Sequence, residues 1–476
     1  MPNVFSRCGN PTVDTRGVYH AYLSWLPSVS QHLLFSVGAV LVYVLTTRAR
    51  REQRAPSAAI AWVMGLALVP YLMLPMYLVF GQRKLRPAGR LHSAAQATVL
   101  PPSHWAMELV ESFGLPPAFA CSVRLHENGS EARSALWETI DRARERLLVC
   151  SFIIGCDELG RELVQRLAAR ARQGVQVRVM LDGFGALQVP RSHFDVLHGA
   201  GGHITVFRPL FRLRGDGPRN LRNHRKFVIA DDCWLWSGGR NLAAEYFLGR
   251  PQQAAWIDLS FDLHGGVAAA AAHQFEQDWA SARRVSPRPV ALPAEAPHGA
   301  LAQFLPSGPD QVEDTANALL IDAAFRARRR ILAVTPYFIP DNGLRDALRL
   351  AARRGVEITI LMPLRSNHRL ADFVRARAMR DLARAGVRFR LLPVMVHAKA
   401  VVVDDTLALC GSINLDARSL LLNHEASVMF YGEHEIAWLA GWIERTAAPG
   451  HDYVPDDPGM ARDLAEGLLL TVAFQL

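Results

Sequence analysis

Two short segments of this chain carry the same residue pattern, and this duplication constrains the fold more than any other feature. HRKFVIAD begins at His224, and HAKAVVVD begins at His397, 173 residues further on. Both read His-x-Lys-x4-Asp, and each is followed by a turn of small residues that ends in Asn241 or Asn414. One copy would carry little information. Two copies with equal spacing and similar downstream turns indicate one site built from two related halves.

Each copy is predicted to be a buried strand that presents its His and Lys on one face. The residues between Lys and Asp are apolar and rich in β-branched side chains, which favours a strand. Residues i and i+2 share a face of a strand, so the His and Lys of each copy point the same way. The candidate catalytic residues are His224, Lys226, Asp231, His397, Lys399 and Asp404.

These residue types are suited to phosphodiester exchange without a metal. A neutral imidazole can attack phosphorus and form a covalent intermediate, and a protonated imidazole can give its proton to the leaving alkoxide. Two lysines supply positive charge for the phosphoryl oxygens. The sequence offers no ligand cluster for a metal, and we expect no cofactor. The further candidates are donors to the phosphoryl oxygens (Asn241, Ser412, Asn414) and carboxylates that could fix an imidazole tautomer (Glu245, Glu425).

The chain resembles the phospholipase D superfamily, and within it the bacterial cardiolipin synthases. The resemblance covers nearly the whole chain, including its hydrophobic amino-terminal region, and rests on five segments: RNHRK (222–226), GGRN with a later Glu-Tyr (238–246), TPYFIPD (335–341), RRGVEITILMP (353–363) and GSINLDARSLLLNHE (411–425).

The resemblance implies a pseudo-twofold α/β fold with the active site between the two halves. It also implies a phosphohistidine intermediate and transfer of a phosphatidyl group from one phosphatidylglycerol to another, giving cardiolipin and glycerol. In the family the first-half histidine is the nucleophile, here His224, and His397 is the acid and base. The two nearly symmetric motifs by themselves leave these roles open.

Two apolar stretches near the amino terminus are predicted to form a transmembrane hairpin. Residues 58–80 contain 23 residues without a charge, enough for a helix to cross a ~30 Å hydrocarbon core, and Pro70 and Pro75 are expected to kink it. Residues 29–47 form a weaker candidate with polar residues at its start. No small-x-small cleavage site follows this first stretch, which argues against a signal peptide. We expect a multi-pass protein of the bacterial inner membrane, and its orientation stays open.

Composition is compatible with two classes of partner. The formal net charge of +9 suits anionic lipid and nucleic acid equally. The apolar stretches favour lipid, so the expected partners are phosphatidylglycerol and anionic membrane lipid, with no nucleic acid. The six cysteines are scattered, and the oligomeric state stays open.

Beyond residue 100 the pattern predicts repeated β-α-β units with parallel pairing. In the first half a strand over 144–154, a helix over 158–173 and a strand ending at Asp182 follow one another; in the second half the same series covers 328–339, 344–354 and 356–363. The predicted organisation is an amino-terminal segment (1–28), two transmembrane helices (29–81), a first phospholipase D-like half (100–282), a proline-rich linker (283–300) and a second half (301–476).

Three classes of function are compatible with these sequence features. The first is a membrane phosphatidyltransferase that makes cardiolipin. The second is a hydrolase of the same chemistry that acts on phospholipid or nucleic acid; membrane anchoring disfavours a nuclease and leaves a membrane-bound hydrolase that releases phosphatidic acid. The third is a scaffold without activity, which two complete motifs argue against. The choice between transferase and hydrolase depends on how well the pocket excludes water and holds a glycerol headgroup.

Overall fold

The computed structural model describes residues 28–49, 56–81, 83–84, 104–209, 220–293 and 299–473. The chain divides into two compact units, Met1–Gln82 and Arg83–Leu476. The described residues of the first unit form three helices, α1 (Val29–Ala49), α2 (Pro56–Leu68) and α3 (Pro70–Phe80). Within this unit α1 and α3 are in contact, because the hydroxyls of Thr46 and Tyr77 lie 2.6 Å apart.

The second apolar stretch, predicted as one helix kinked at Pro70 and Pro75, is divided at Val69 into two helices. Val69 separates α2 from α3 with φ −135° and ψ 57°, because the ring of Pro70 disfavours the helical conformation of the residue before it. Pro75, in contrast, lies inside α3 without ending it. Among the described helices, α1 alone is both long and apolar enough to cross a membrane. The weaker of the two predicted spans is therefore the one with the continuous helix.

The second unit contains two related series of strands and helices. The first series is α4 (Trp105–Ser112), β1 (Phe119–His126), α5 (Gly129–Arg142), β2 (Arg146–Ser151), α6 (Glu158–Arg172), β3 (Gln176–Asp182), α7 (Asp195–Gly199), β4 (His203–Phe207), β5 (Phe227–Ala230), β6 (Trp234–Gly238), β7 (Ser260–Gly265) and α8 (Gly266–Arg283).

The second series repeats the order from β1 to α8, with additional elements inserted and appended. It contains β8 (Ala300–Ser307), α9 (Thr315–Arg326), β9 (Arg330–Val334), β10 (Phe338–Ile339), α10 (Asn342–Arg353), β11 (Glu357–Pro363), α11 (Arg369–Arg384), β12 (Arg388–Leu392), β13 (Ala400–Val403), β14 (Leu407–Gly411), β15 (Leu415–Asp416), α12 (Ala417–Leu421), β16 (Glu425–Phe430), α13 (Glu433–Ala447), β17 (His451–Asp452) and α14 (Met460–Ala473).

All of the described strands except β10 and β15 belong to one sheet, in which 15 strands are described. Its order is β17-β12-β11-β9-β13-β14-β16-β8-β1-β7-β6-β5-β2-β3-β4. Apart from β17, the order on one side of the antiparallel β8–β1 pair repeats that on the other side, strand for strand. The predicted pseudo-twofold α/β architecture is confirmed, and the two halves share a continuous sheet.

The sheet has parallel and antiparallel parts, and their arrangement places the duplicated motifs. The predicted parallel pairs are present as β2–β3 and β9–β11. The motif strands β5 and β13 run antiparallel to β2 and β9. The amino-terminal ends of β5 and β13 therefore lie at the carboxyl ends of the parallel strands. We call this side of the sheet the catalytic edge.

Alternating strand residues divide the core into layers on the two faces of the sheet. On β2, Leu148 and Cys150 belong to a cluster that includes residues of α8 and α13 from both halves. Leu147 and Val149 belong to a separate cluster with α5 and α6, and α9, α10 and α11 line the corresponding cluster of the second half. Because the first cluster is common to both halves, it fixes the position of one histidine motif relative to the other.

Candidate active site

The two His-Lys pairs precede their strands instead of lying within them. β5 begins at Phe227, directly after Lys226, and β13 begins at Ala400, directly after Lys399. The prediction that the pairs lie on strands is wrong in this detail, because backbone contacts with the opposite half replace the ladder at these residues. Each lysine ammonium donates to the backbone carbonyl of the histidine two residues earlier.

Main-chain hydrogen bonds anchor each histidine to the other half of the molecule. The backbone N–H of His224 donates to the carbonyl of His424 over 2.8 Å, and that of His397 donates to the carbonyl of Ile257 over 2.7 Å. Short parallel bridges accompany both bonds, at Asn223–His424 and at Ile257–Val396. The two histidine segments are thus held by equivalent contacts around the pseudo-twofold axis.

The residue after each acceptor carbonyl is a carboxylate that binds the imidazole. Glu425 lies 2.9 Å from Nδ1 of His224, and Asp258 lies 2.7 Å from Nδ1 of His397. Both carboxylate side chains are fully buried. A carboxylate that accepts from Nδ1–H fixes the tautomer whose Nε2 carries the free lone pair. Each half therefore orients the histidine of the other half.

Asp258 was not among our predicted site residues. It lies 34 residues after His224, whereas Glu425 lies 28 residues after His397, so aligning the two copies does not reveal the pair. The predicted alternative, Glu245, instead forms an ion pair with Arg250 at 2.7 Å, and the structure shows no contact between Glu245 and either imidazole. Of the two predicted carboxylates, only Glu425 lies where we expected it.

The neutral polar residues of the two turns differ in position. Ser412 donates to the Glu425 carboxylate over 2.5 Å, so it orients that carboxylate instead of facing the reaction centre. Asn241 and Asn414 are buried, and among the described residues their Oδ1 atoms have no hydrogen-bond partner. Burial of an unpaired amide oxygen is unfavourable, so both amides are suited to bind a polar group of a ligand.

The two aspartates of the duplicated motif lie away from the imidazoles. Asp231 accepts from the backbone N–H groups of Arg144, Glu145 and Arg146 at 2.8–2.9 Å. Asp404 binds the equivalent backbone groups before β9 in the same way. Five residues separate each aspartate from its lysine, roughly 16 Å along a strand at about 3.3 Å per residue. We had assigned both aspartates to the catalytic set, and the structure corrects this: they cap the starts of β2 and β9.

Burial shifts the protonation of all four motif side chains. It lowers the pKa of His224 to about 4 and that of His397 to about 3, and the neighbouring lysines lower both further. Burial also lowers the pKa of Lys226 to about 7 and that of Lys399 to about 8. At these pKa values both imidazoles are neutral at pH 7. A bound phosphodiester adds a negative charge, which raises the pKa of each of these groups.

Aromatic rings contact both imidazoles. Phe152 makes an edge contact with His224 at a centroid distance of 5.1 Å. Tyr246 and Trp256 contact His397 at 4.9 Å and 5.6 Å. Rings in these positions keep water from the imidazoles and strengthen their charge interactions.

One group of described side chains could converge on a metal ion, and an arginine already binds it. The donor atoms of Asp278, Asp310 and His424 lie within 4.8 Å of one another. The Arg225 guanidinium lies 2.6 Å from Asp278 and 3.0 Å from Asp310, and its charge lowers the pKa of Asp310 against the opposing effect of burial. These residues come from both halves, so we interpret the cluster as an ion-pair network that joins the halves behind His224.

Comparisons with known proteins agree on the family. The family model described as "Cardiolipin synthase, PLD-like domain" matches residues 136–279 and 320–447. Cardiolipin synthase A of Pseudomonas putida is 36% identical over 399 residues, covering 79% of this chain and 83% of that protein. Cardiolipin synthase A of Pseudomonas aeruginosa (strain LESB58) is 32% identical over 451 residues, covering 90% and 92%.

A solved structure supports the fold. Phosphatidylserine synthase from Haemophilus influenzae Rd KW20 superposes with a TM-score of 0.62 at 14% sequence identity, covering 78% of this chain and 100% of that one. This low identity supports only the fold, and the sequence relatives carry the finer assignment. The chain belongs to the cardiolipin synthase family of phospholipase D-like proteins.

Proposed function

We propose that this protein is a cardiolipin synthase, a phosphatidyltransferase that joins two phosphatidylglycerol molecules into cardiolipin and releases glycerol. The observation that carries the proposal is the pair of complete, crossed His-carboxylate sets in a chain 36% identical to enzymes named cardiolipin synthase A. Each set holds an imidazole with its Nδ1 engaged and a lysine two residues away. Two imidazoles in one site are what a double displacement at phosphorus needs.

In the first step the donor lipid binds with its phosphate between the two imidazoles, and its negative charge raises the pKa of His397, which enters the reaction protonated at Nε2. Nε2 of His224 attacks phosphorus, the bond to the glycerol headgroup breaks, and His397 gives a proton to the departing alkoxide. The products are phosphatidyl-His224 and free glycerol. Lys226 and Lys399 stabilise the charge on the phosphoryl oxygens, and the buried Asn241 amide can bind a polar group of the substrate.

In the second step an acceptor lipid takes the place of glycerol. His397, now neutral, accepts the proton of a hydroxyl of the second phosphatidylglycerol, whose oxygen attacks phosphorus. The bond to His224 breaks, cardiolipin leaves, and both imidazoles return to their starting states. The positive charge that forms on each imidazole during these steps is stabilised by Glu425 or Asp258.

One asymmetry supports His224 as the nucleophile. The Lys399 ammonium lies 2.9 Å from Nδ1 and 3.1 Å from Nε2 of His397, so both ring nitrogens of this histidine already have a hydrogen-bonding neighbour. Among the described residues, His224 has hydrogen-bond contacts at Nδ1, to Glu425, and Nε2 is left for the phosphorus atom. The catalytic set that we propose is therefore His224, Lys226, His397 and Lys399, with Glu425 and Asp258 as positioning residues.

The same chemistry would make phosphatidic acid if water resolved the intermediate, so a membrane-bound hydrolase is the alternative. Water is present at about 55 M, and a transferase must therefore hold its acceptor in place to gain effective concentration. The aromatic rings around both imidazoles favour the transferase because they limit access of water to the intermediate.

We further propose that the protein resides in the bacterial inner membrane. The helix α1 supplies an apolar segment of 21 residues with a mean hydropathy of 1.7. A multi-pass hairpin requires that α2 and α3 together form the second span despite the break at Val69. Phosphatidylglycerol is then both the substrate and part of the surrounding bilayer.

The test uses the purified full-length chain with phosphatidylglycerol vesicles and lipid products resolved by mass spectrometry. We expect cardiolipin and glycerol to accumulate together, with phosphatidic acid minor, and added glycerol to drive the reaction backward. Phosphatidic acid as the main product would replace the synthase with the hydrolase. His224→Ala and His397→Ala should both lose activity, and the trapped phosphatidyl adduct should be on His224.

A further inference from the structure

The connections at the catalytic edge carry exposed apolar side chains. Four of the connections on this side of the sheet are those from β3 to α7 (183–194), from β6 to β7 (239–259), from β11 into the first turn of α11 (364–372), and from β12 to β13 (393–399). Each of them contains at least one large apolar residue that is 41–55% exposed. These residues, which we call the apolar rim, are Phe184, Leu187, Leu248, Leu364, Leu370 and Val394.

The opposite edge of the same sheet has a different surface. The short connections there include those from α6 to β3, from α10 to β11, from β5 to β6 and from β13 to β14. Their exposed and half-buried positions are filled by polar or charged residues, glycine and one cysteine. None of these fully described connections exposes a large apolar side chain. The two turns that follow the motif strands read Asp-Asp at 231–232 and at 404–405. The connections of the catalytic edge therefore expose large apolar side chains, whereas these connections of the opposite edge do not.

Exposed arginines are interleaved with the apolar rim. Arg191, Arg250, Arg365 and Arg369 are exposed and lie in these same connections. Apolar side chains flanked by arginine are typical of surfaces that enter the interface of an anionic bilayer, where the side chain reaches the acyl region and the cation meets phosphate. A protein partner would also fit an apolar patch, but it would cover the entrance to the imidazoles, which are reached from this edge.

We infer that the apolar rim inserts into the interface of an anionic lipid bilayer, with the catalytic edge facing the membrane. This inference rests on the proposed function, because a lipid substrate must pass from the bilayer to buried imidazoles. The rim places the site entrance at headgroup depth, so a phosphatidyl group can enter while its acyl chains stay in the bilayer. Phe184 stacks on Phe152, which contacts His224, so the apolar surface continues from the rim to the nucleophile.

The test compares two leucines of equal exposure in the full-length protein. Leu364 belongs to the rim and is 45% exposed, and Leu350 lies on α10 and is 46% exposed. Leu364→Glu and Leu350→Glu are assayed on phosphatidylglycerol in vesicles and on a short-chain phosphatidylglycerol dissolved as monomers. For Leu364→Glu we expect a loss of about tenfold or more on vesicles. Its rate on monomers, and both rates of Leu350→Glu, should stay within about twofold of the parent protein.

Leu187→Glu, in a different connection, should reproduce the pattern of Leu364→Glu. Equal losses on vesicles and monomers would mean damage to the site itself and would overturn the inference. So would equal behaviour of the Leu364 and Leu350 variants.

A measurement of depth separates this inference from the proposed function. A fluorophore is attached at Leu364→Cys or Leu350→Cys in a background with Cys8, Cys156 and Cys233 replaced by serine. Quenchers on the lipid acyl chains should quench only the label at position 364. If the unmodified protein makes no cardiolipin and this quenching still occurs, the proposed function fails and the membrane-facing rim stands. If cardiolipin is made and neither label is quenched, the inference about the apolar rim is refuted and the proposed function stands.

Discussion

Asp258→Asn is the substitution that best tests the crossed arrangement of the active site. Asp258 belongs to the first half and lies 2.7 Å from Nδ1 of His397 in the second half. Burial raises its pKa, but the neighbouring His397 and Lys399 outweigh burial and lower it, so the group is a carboxylate. Asparagine keeps the size of the side chain and removes the charge. The change therefore isolates the electrostatic and tautomeric role of this residue.

The expected loss of activity follows from the buried contact. A hydrogen bond to a charged group contributes about 1.5–3 kcal/mol, which corresponds to roughly 10- to 150-fold in rate. The asparagine amide can also turn its NH2 toward Nδ1, which moves the imidazole proton to Nε2 and removes the base. In serine proteases the equivalent change costs about 10⁴-fold. We therefore expect a loss of cardiolipin formation between about 10²-fold and 10⁴-fold.

The assay measures the initial rate of cardiolipin formation on phosphatidylglycerol vesicles, with the thermal midpoint of unfolding measured in parallel. Glu245→Gln is the matched control, because Glu245 is the first-half carboxylate that we had predicted and it binds Arg250 instead of an imidazole. It should keep its rate within about twofold, as is usual for a change away from the reaction centre. An Asp258→Asn variant that is folded and within threefold of the parent, or a Glu245→Gln variant with an equal loss, would refute the crossed site.

Three further predictions concern the cap, the lysines and metal. Asp231→Ala removes the partner of three backbone N–H groups, so the free energy of unfolding should fall by about 1–3 kcal/mol while the rate per folded molecule is kept. Chemical denaturation and an active-site titration measure these two quantities. A lost rate with unchanged stability would instead show that Asp231 belongs to the catalytic set. The pKa of Lys226 is lowered to about 7 and that of Lys399 to about 8, so both ammonium groups lose their charge as pH rises through these values. The value of kcat/KM on monomeric substrate should therefore decline over this range. A value of kcat/KM that stays constant up to about pH 10 would contradict this role of the lysines. Activity should survive thorough chelation, because the two lysines supply the charge that a metal would bring. Complete loss of activity that one divalent ion restores would contradict this mechanism.

The local sequence was enough to predict the repeated units of the fold. Apolar β-branched runs and amphipathic segments have periods that the chain itself displays, so β3, α6 and β11 lie close to where the pattern placed them. The duplication also identified His224 and His397, because equal spacing in two copies can be read directly from the chain. The break at Val69 could have been read from Pro70 as well, since the effect of proline on the preceding residue is local.

The sequence alone could not decide which members of each motif meet. His-x-Lys-x4-Asp gives its three residues equal weight, but the strand carries Asp231 and Asp404 to the opposite edge of the sheet, where they cap backbone groups. Even in two nearly symmetric copies, a residue's distance along a strand decides whether it can reach the site.

Tertiary structure alone decided the pairing of carboxylate and imidazole. Asp258 and His397 are 139 residues apart, and Glu425 and His224 are 201 residues apart. No local pattern spans such separations, and the unequal spacing of the two carboxylates hides their equivalence. The continuous sheet and the core cluster common to both halves fix one half against the other, and this packing brings each carboxylate to the histidine of the opposite half.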